Sequence, residues 1–187
     1  MDVNQVLRRI SAVLESNQIP YMIVGSFASS FHGALRSTAD VDIVIDADLQ
    51  QLQKLTEYLR GAQYYVVAED AFEALRQRSM FNIIDLTVSW KIDFIFIKPR
   101  AFSREEFRRR VPVDYESIPL FIASKEDTVI SKLEWAKLAK SARQLDDSAI
   151  LLRKNWKSLD HPYLAKWINE LGLTSQWDDA RRQAGIE

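Results

Sequence analysis

The chain has 187 residues, 47% of them hydrophobic, with 25 basic and 26 acidic side chains and a formal charge of −1. That length suits one domain or a domain with a small appendage, and the apolar content is enough for a real core, which excludes wholesale disorder. Without cysteine there are no disulfides, thiolate metal sites or cysteine nucleophiles. His32 and His161 alone cannot build a histidine-rich metal cage, and the balanced charge gives no global sign of a nucleic-acid or membrane partner.

At the N-terminus, Val3, Val6, Leu7, Ile10, Val13 and Leu14 recur with helical period. The start MDVNQVLRRI lacks the basic residues and apolar run of a signal peptide. Pro20 ends that helix, and YMIVGS reads as a short strand. Ser26 is placed to cap a helix to about Leu35, loosened at its end by Gly33. DVDIVID is a second strand. Asp48 opens a third helix carrying Leu49, Leu52, Leu55 and Leu59, which Gly61 stops.

YYVVA then reads as a strand and DAFEALRQRS as a helix. MFNIIDLTV and KIDFIFI, separated by Ser89 and Trp90, predict an antiparallel hairpin. The run FIFI is among the longest apolar stretches, far short of the ~20 residues that cross a bilayer. SREEFRRRV predicts a helix opened by a Ser103–Glu106 capping box, and YESIPLFIA a short strand or extended arm. From Ser124 the pattern is helical. Ser124 and Asp127 cap a segment to about Lys140, and two or three further helices carry Leu151, Leu152, Trp156, Tyr163, Trp167, Ile168, Leu171 and Trp177. The expectation is an α+β protein, soluble and cytoplasmic, with an α/β core over residues 1–122 and an all-helical part over 123–187 packed on it.

The chemistry concentrates in VGSFASSFHGALRSTADVDIVID, residues 24–46. Strand alternation sends Asp40, Asp42, Val44 and Asp46 to one face and Val41, Ile43 and Ile45 to the other. The same rule puts Lys91, Asp93, Ile95 and Ile97 on one face of the later strand. If the two strands are neighbours, Asp40, Asp42 and Asp93 converge. Adjacent carboxylates repel unless something neutralises them. A divalent cation does so, and hard oxygen ligands select magnesium or manganese. An isolated D-x-D more often caps a turn or faces water. Here it follows a strand-Gly-Ser-helix unit at short range, and a third aspartate lies in a later strand. Gly25 lets a phosphate approach the backbone, and the free N–H groups of the helix start, with the Ser26 hydroxyl, favour an anion.

With Gly25-Ser26, the DVD of residues 40–42 and Asp93 in KIDFI, the sequence resembles the nucleotidyltransferase superfamily that includes polymerase-β-like and minimal nucleotidyltransferases. Residues 25–46 look most like the AbiEii-type bacterial branch, some members of which are toxins of toxin–antitoxin pairs. The motif resemblance covers about residues 20–97. It implies a mixed sheet flanked by helices, magnesium (or manganese) on Asp40, Asp42 and Asp93, and triphosphate at the Gly25-Ser26 helix start. In that branch the helical part often carries a lysine and an arginine-aspartate pair, matched here by Lys132 and by RQLDD at 143–147.

Lys132 is therefore a candidate cation over the triphosphate, and Arg36, just before the first aspartate, a candidate phosphate contact. Lys98, Arg100 and SREEFRRR form the most basic stretch. It reads first as a solvated helix and second as a guide for RNA or nucleotide. The tryptophans fit helical spacing and read as core. The expected function is magnesium-dependent transfer of a nucleoside monophosphate from an NTP to a hydroxyl acceptor, which RNA, protein or a small molecule can supply. A cognate antitoxin or other protein is the partner if the chain is a toxin. The alternative is a module of the same fold that binds nucleotide, or a protein partner, without transfer.

Overall fold

The computed structural model describes residues 3–35, 38 and 40–186. In chain order these form α1 (Val3–Ser16), β1 (Tyr21–Ile23), α2 (Gly25–Phe31), β2 (Asp40–Ile45), α3 (Leu49–Gly61), β3 (Tyr64–Tyr65) and α4 (Ala68–Gln77). There follow β4 (Met80–Asp85), β5 (Trp90–Phe96), α5 (Ala101–Arg108), β6 (Val111–Tyr115), β7 (Ile118–Ile122), α6 (Lys125–Ala139), α7 (Ala142–Asn155), a 3-10 turn (Trp156–Ser158), α8 (His161–Glu170) and α9 (Thr174–Ala184). They make two units. One comprises Met1–Val24 and Thr38–Ile122, the other Gly25–Ser37 and Ala123–Glu187. No helix among the described residues is long and apolar enough to cross a membrane.

The first unit holds a mixed seven-stranded sheet in the order β3-β4-β5-β2-β1-β7-β6. β2 runs parallel to β5 and β1 parallel to β7, and the remaining neighbours are antiparallel. Alternation along β2 buries Val41, Ile43 and Ile45 and leaves Asp40, Asp42 and Val44 half-buried. On the same side as the three aliphatics, Ile92, Phe94 and Phe96 of β5 and Phe81 and Ile83 of β4 complete an apolar layer. The Phe81 ring lies 5.2 Å from that of Phe94 and 6.0 Å from that of Phe96, in tilted contact. Helix α1 buries Val6, Leu7, Ile10, Val13 and Leu14, the stripe its periodicity predicts. Asp48 caps α3 through a full capping box with Gln51.

Three features of this unit differ from the sequence expectation. β6 pairs only with β7, at the edge, and its residues are exposed or half-buried. With little apolar alternation it carries weak sequence signal, and an edge tolerates Pro112. β3 is two residues long. Helix α5 starts at Ala101, with Arg100 in the cap position, so Ser103 lies inside the helix and the expected capping box does not form. Starting a turn earlier brings Phe102, 1% exposed, into the helix. Burying that ring is worth about 1.5–3 kcal/mol, against about 1 kcal/mol for a serine cap.

The second unit is helical. Ser124 caps α6 by accepting from the Asp127 amide at 3.1 Å while its hydroxyl donates to Asp127 Oδ2 at 2.6 Å. The Tyr163 hydroxyl donates to Asp127 Oδ1 at 2.5 Å, so a carboxylate with no exposure is satisfied on both oxygens. Val129, Ile130, Leu133, Leu151, Leu152, Leu164 and Ile168 form its core. Trp167 is buried with them, and Trp156 stacks on Trp177 at 6.0 Å. Residues 25–37, expected in the α/β core, group with these helices. His32 Nε2 lies 2.8 Å from the Ala123 carbonyl, and Asn155 Nδ2 donates to the His32 carbonyl at 2.9 Å.

Candidate functional site

Parallel pairing of β2 with β5 sets Asp42 beside Asp93 and Asp40 beside Lys91. Residues paired in register point to the same side of a sheet, so one face carries Asp40, Asp42, Lys91 and Asp93 in two rows of opposite or like charge. Asp40 and Asp42 are half-buried. Asp93 is 5% exposed, more deeply set because β5 is flanked on its other side by β4, where Asn82 is its register partner. Thr38 Oγ1 donates to Asp40 Oδ1 at 2.8 Å, and the Val24 amide donates to the Asp42 carbonyl at 2.9 Å.

Lys91 was missed as a site residue in the sequence, although K-x-D on one strand is the signal for it. Its ammonium donates to Asp93 Oδ2 at 2.8 Å. That hydrogen bond above all raises the lysine above its ordinary value; burial opposes it, and the charges of Asp93, Asp40 and Asp42 add to the rise. Asp93 Oδ1 is buried and has no hydrogen-bond partner. A buried acceptor that the protein leaves unpaired calls for a cation or donor from outside the chain. Together with the all-oxygen character of Asp40, Asp42 and Asp93, this fits a hard divalent ion. As the side chains stand, no three acidic or histidine groups among the described residues are gathered closely enough to hold one.

The remaining expected residues belong to the second unit. Gly25 opens α2 with φ of +65°, in the left-handed region that favours glycine, and its carbonyl accepts from Ser29 Oγ at 3.0 Å. Ser26 sits in the first turn of that helix and does not precede it. Arg36 lies outside the described residues. Lys132 is 5% exposed, and its ammonium lies 2.9 Å from Asp147 Oδ2, itself on a buried side chain. A phosphate reaching Lys132 has to take the place of that carboxylate. His32 belongs to the framework. Burial lowers it below the ordinary imidazole value, against the pull of the Ala123 carbonyl.

A cavity of about 630 Å³ opens on the opposite side of the sheet, lined by Arg8, Arg9, Tyr58, Tyr64 and Asp85 among others. Its buried carboxylate is already satisfied, since Asp85 is ion-paired with Arg9 and accepts from the Thr87 amide and hydroxyl. The aspartate face is therefore the better chemical candidate.

Among solved structures, the chain is similar to the antibiotic-resistance factor ANT(2″)-Ia in solution, at 14% identity and TM-score 0.54, covering 97% of both chains. It is also similar to ANT(2″)-Ia in complex with adenylyl-2″-tobramycin, at 11% identity and TM-score 0.57, covering 90% of this chain and 95% of the other. An antigenic nucleotidyltransferase-like protein from Paracoccidioides brasiliensis aligns at 14% identity and TM-score 0.50, over 94% and 91% of the two chains. At these identities the likeness establishes the fold. No curated protein matches the sequence. The family model described as "Nucleotidyltransferase of unknown function (DUF6036)" matches residues 2–181, and with aspartates paired across β2 and β5 on such a fold, the chain belongs to that nucleotidyltransferase family.

Proposed function

We propose that the chain moves a nucleoside monophosphate from a nucleoside triphosphate to a hydroxyl on a small-molecule acceptor. The observation that carries this reading is the register of Asp42 beside Asp93, with Asp93 Oδ1 buried and unpaired. Asp40, Asp42 and Asp93 are the residues to hold magnesium, with manganese as the substitute. When bound, that ion supplies charge neutralisation to the triphosphate.

Asp93 orients the acceptor hydroxyl and takes its proton. The hydroxyl oxygen then forms a bond to the α-phosphorus as the bond from that phosphorus to the bridging oxygen breaks, and pyrophosphate leaves with the electron pair. Gly25 and Ser26 offer amides and a hydroxyl to the phosphates, and Arg36 keeps the phosphate role its sequence position suggests. Lys132 joins the nucleotide grip only by exchanging Asp147 for a phosphate. At rest it ties α6 to α7. The small-molecule acceptor is favoured because ANT(2″)-Ia, seen with an adenylylated small molecule, matches this chain almost end to end. A toxin role requires an RNA or protein acceptor instead.

Thermal unfolding with each of the four NTPs plus Mg²⁺ tests the nucleotide site. A ligand at 100 times its Kd stabilises by about 2.7 kcal/mol, a shift of about 5–10 °C for a chain of this size. The expected result is such a shift for at least one NTP, largely lost in Asp42→Asn. No shift with any NTP at millimolar concentration contradicts the reading.

A further inference from the structure

The face that carries the carboxylates also carries a cation, and the cation sits on the most deeply buried of them. The Lys91 side chain is 45% exposed, while that of Asp93 is 7% exposed. Register places Lys91 opposite Asp40 and two residues before Asp93 on the same side of the sheet. An exposed lysine beside an exposed carboxylate contributes little. Here the carboxylate is buried, and its second oxygen has no donor. Removing the ammonium leaves a largely desolvated charge next to two others of the same sign.

Resting on the nucleotidyltransferase reading of this face, we propose that Lys91 is a built-in counter-cation. It holds the place of a divalent ion at Asp93 and gives up that carboxylate when metal and triphosphate arrive together. The ammonium occupies Asp93 Oδ2 and leaves Oδ1 without a donor, so one oxygen of that carboxylate stays open to an arriving cation. A metal ion arriving alone has to compete with the ammonium for Asp93, so it binds weakly. A metal ion arriving on a triphosphate brings anionic oxygens to which the released ammonium can turn. Lys91 is thus a positioning residue. It keeps the metal-free face from repelling itself and couples metal uptake to nucleotide.

Calorimetric titration of the nucleotide-free protein with MnCl₂ at low salt tests this, using wild type, Lys91→Gln, Lys91→Arg and Asp42→Asn. The half-exposed side chain makes Lys91→Gln a variant expected to fold, and Lys91→Arg keeps the charge. Lys91→Gln is expected to bind Mn²⁺ about tenfold or more tightly than wild type. Its metal-free melting temperature falls, and saturating Mn²⁺ restores it. Lys91→Arg behaves as wild type, and Asp42→Asn loses affinity. A merely structural lysine would lower stability without raising metal affinity. If wild type and Lys91→Gln bind Mn²⁺ equally, the counter-cation proposal is overturned and the metal reading stands. If neither takes up Mn²⁺, with or without NTP, both fall.

Discussion

Lys132 and Asp147 meet at 2.9 Å, from α6 and α7, with side chains 6% and 7% exposed. Two charges so far out of water depend on each other, and deleting one partner costs about 3–5 kcal/mol, whereas replacing both with apolar groups is often nearly neutral. Lys132→Met is therefore expected to lose roughly that much stability in denaturant unfolding, and Lys132→Met with Asp147→Leu to regain most of it. Calorimetry of the stable double variant with Mg-NTP then asks whether Lys132 also grips nucleotide. Unchanged affinity confines the lysine to the framework. The sequence offered Lys132 as a cation because its neighbours on one helix face are visible in order, but a partner 15 residues on, across a helix turn, is not. Asp40, Asp42 and Asp93 were legible for the opposite reason. A period of two assigns strand faces without knowledge of the third dimension, and the β2–β5 register puts them on one face. Lys91 obeys the same rule, yet its importance depends on the depth of Asp93, which comes from β4 closing over one flank of β5.

At the scale of elements, strong local chemistry carried and weak chemistry did not. Asp48 opens α3 and Ser124 caps α6 where they were expected. β6 escaped because an exposed edge strand needs no apolar alternation. Its two-residue link to β7, Glu116 and Ser117 with φ of 49° and 62°, uses neither glycine nor asparagine. Ser103–Glu106 had the letters of a capping box, but burial of Phe102 moved the helix start upstream. The entry to α2 is the element on which the phosphate proposal leans. With φ of +65° at Gly25, a Cβ costs about 1–2 kcal/mol. Gly25→Ala is expected to lower stability by about that amount, and Gly25→Asn by less, because asparagine tolerates this region. Both variants are compared by denaturant midpoint. Equal, negligible losses would mean that the turn relaxes freely and does not need glycine.

For the molecule as a whole, composition and pattern suggested one cut, between residues 122 and 123. The second unit comprises Gly25–Ser37 together with Ala123–Glu187. A discontinuous unit leaves no compositional boundary. It is held by bonds such as His32 to the Ala123 carbonyl and Asn155 to the His32 carbonyl, between residues 91 and 123 positions apart. The family and its fold follow from residues 2–181 as a body, and the acceptor is the property that motif spacing never specified. The most direct measurement is transfer of label from each α-phosphate-labelled NTP, with Mg²⁺, into the molecules of a total cell extract, run in parallel with wild type, Asp42→Asn and Asp93→Asn. The expected result is label on a small hydroxyl compound with wild type, nothing with Asp42→Asn, and a rate reduced by orders of magnitude with Asp93→Asn while Mg-NTP affinity largely persists. Label on RNA or protein would redirect the acceptor class toward the toxin reading. Bound Mg-NTP that never labels any acceptor, or Asp93→Asn transferring as fast as wild type, would contradict the assignment of this carboxylate face as the centre of nucleotidyl transfer.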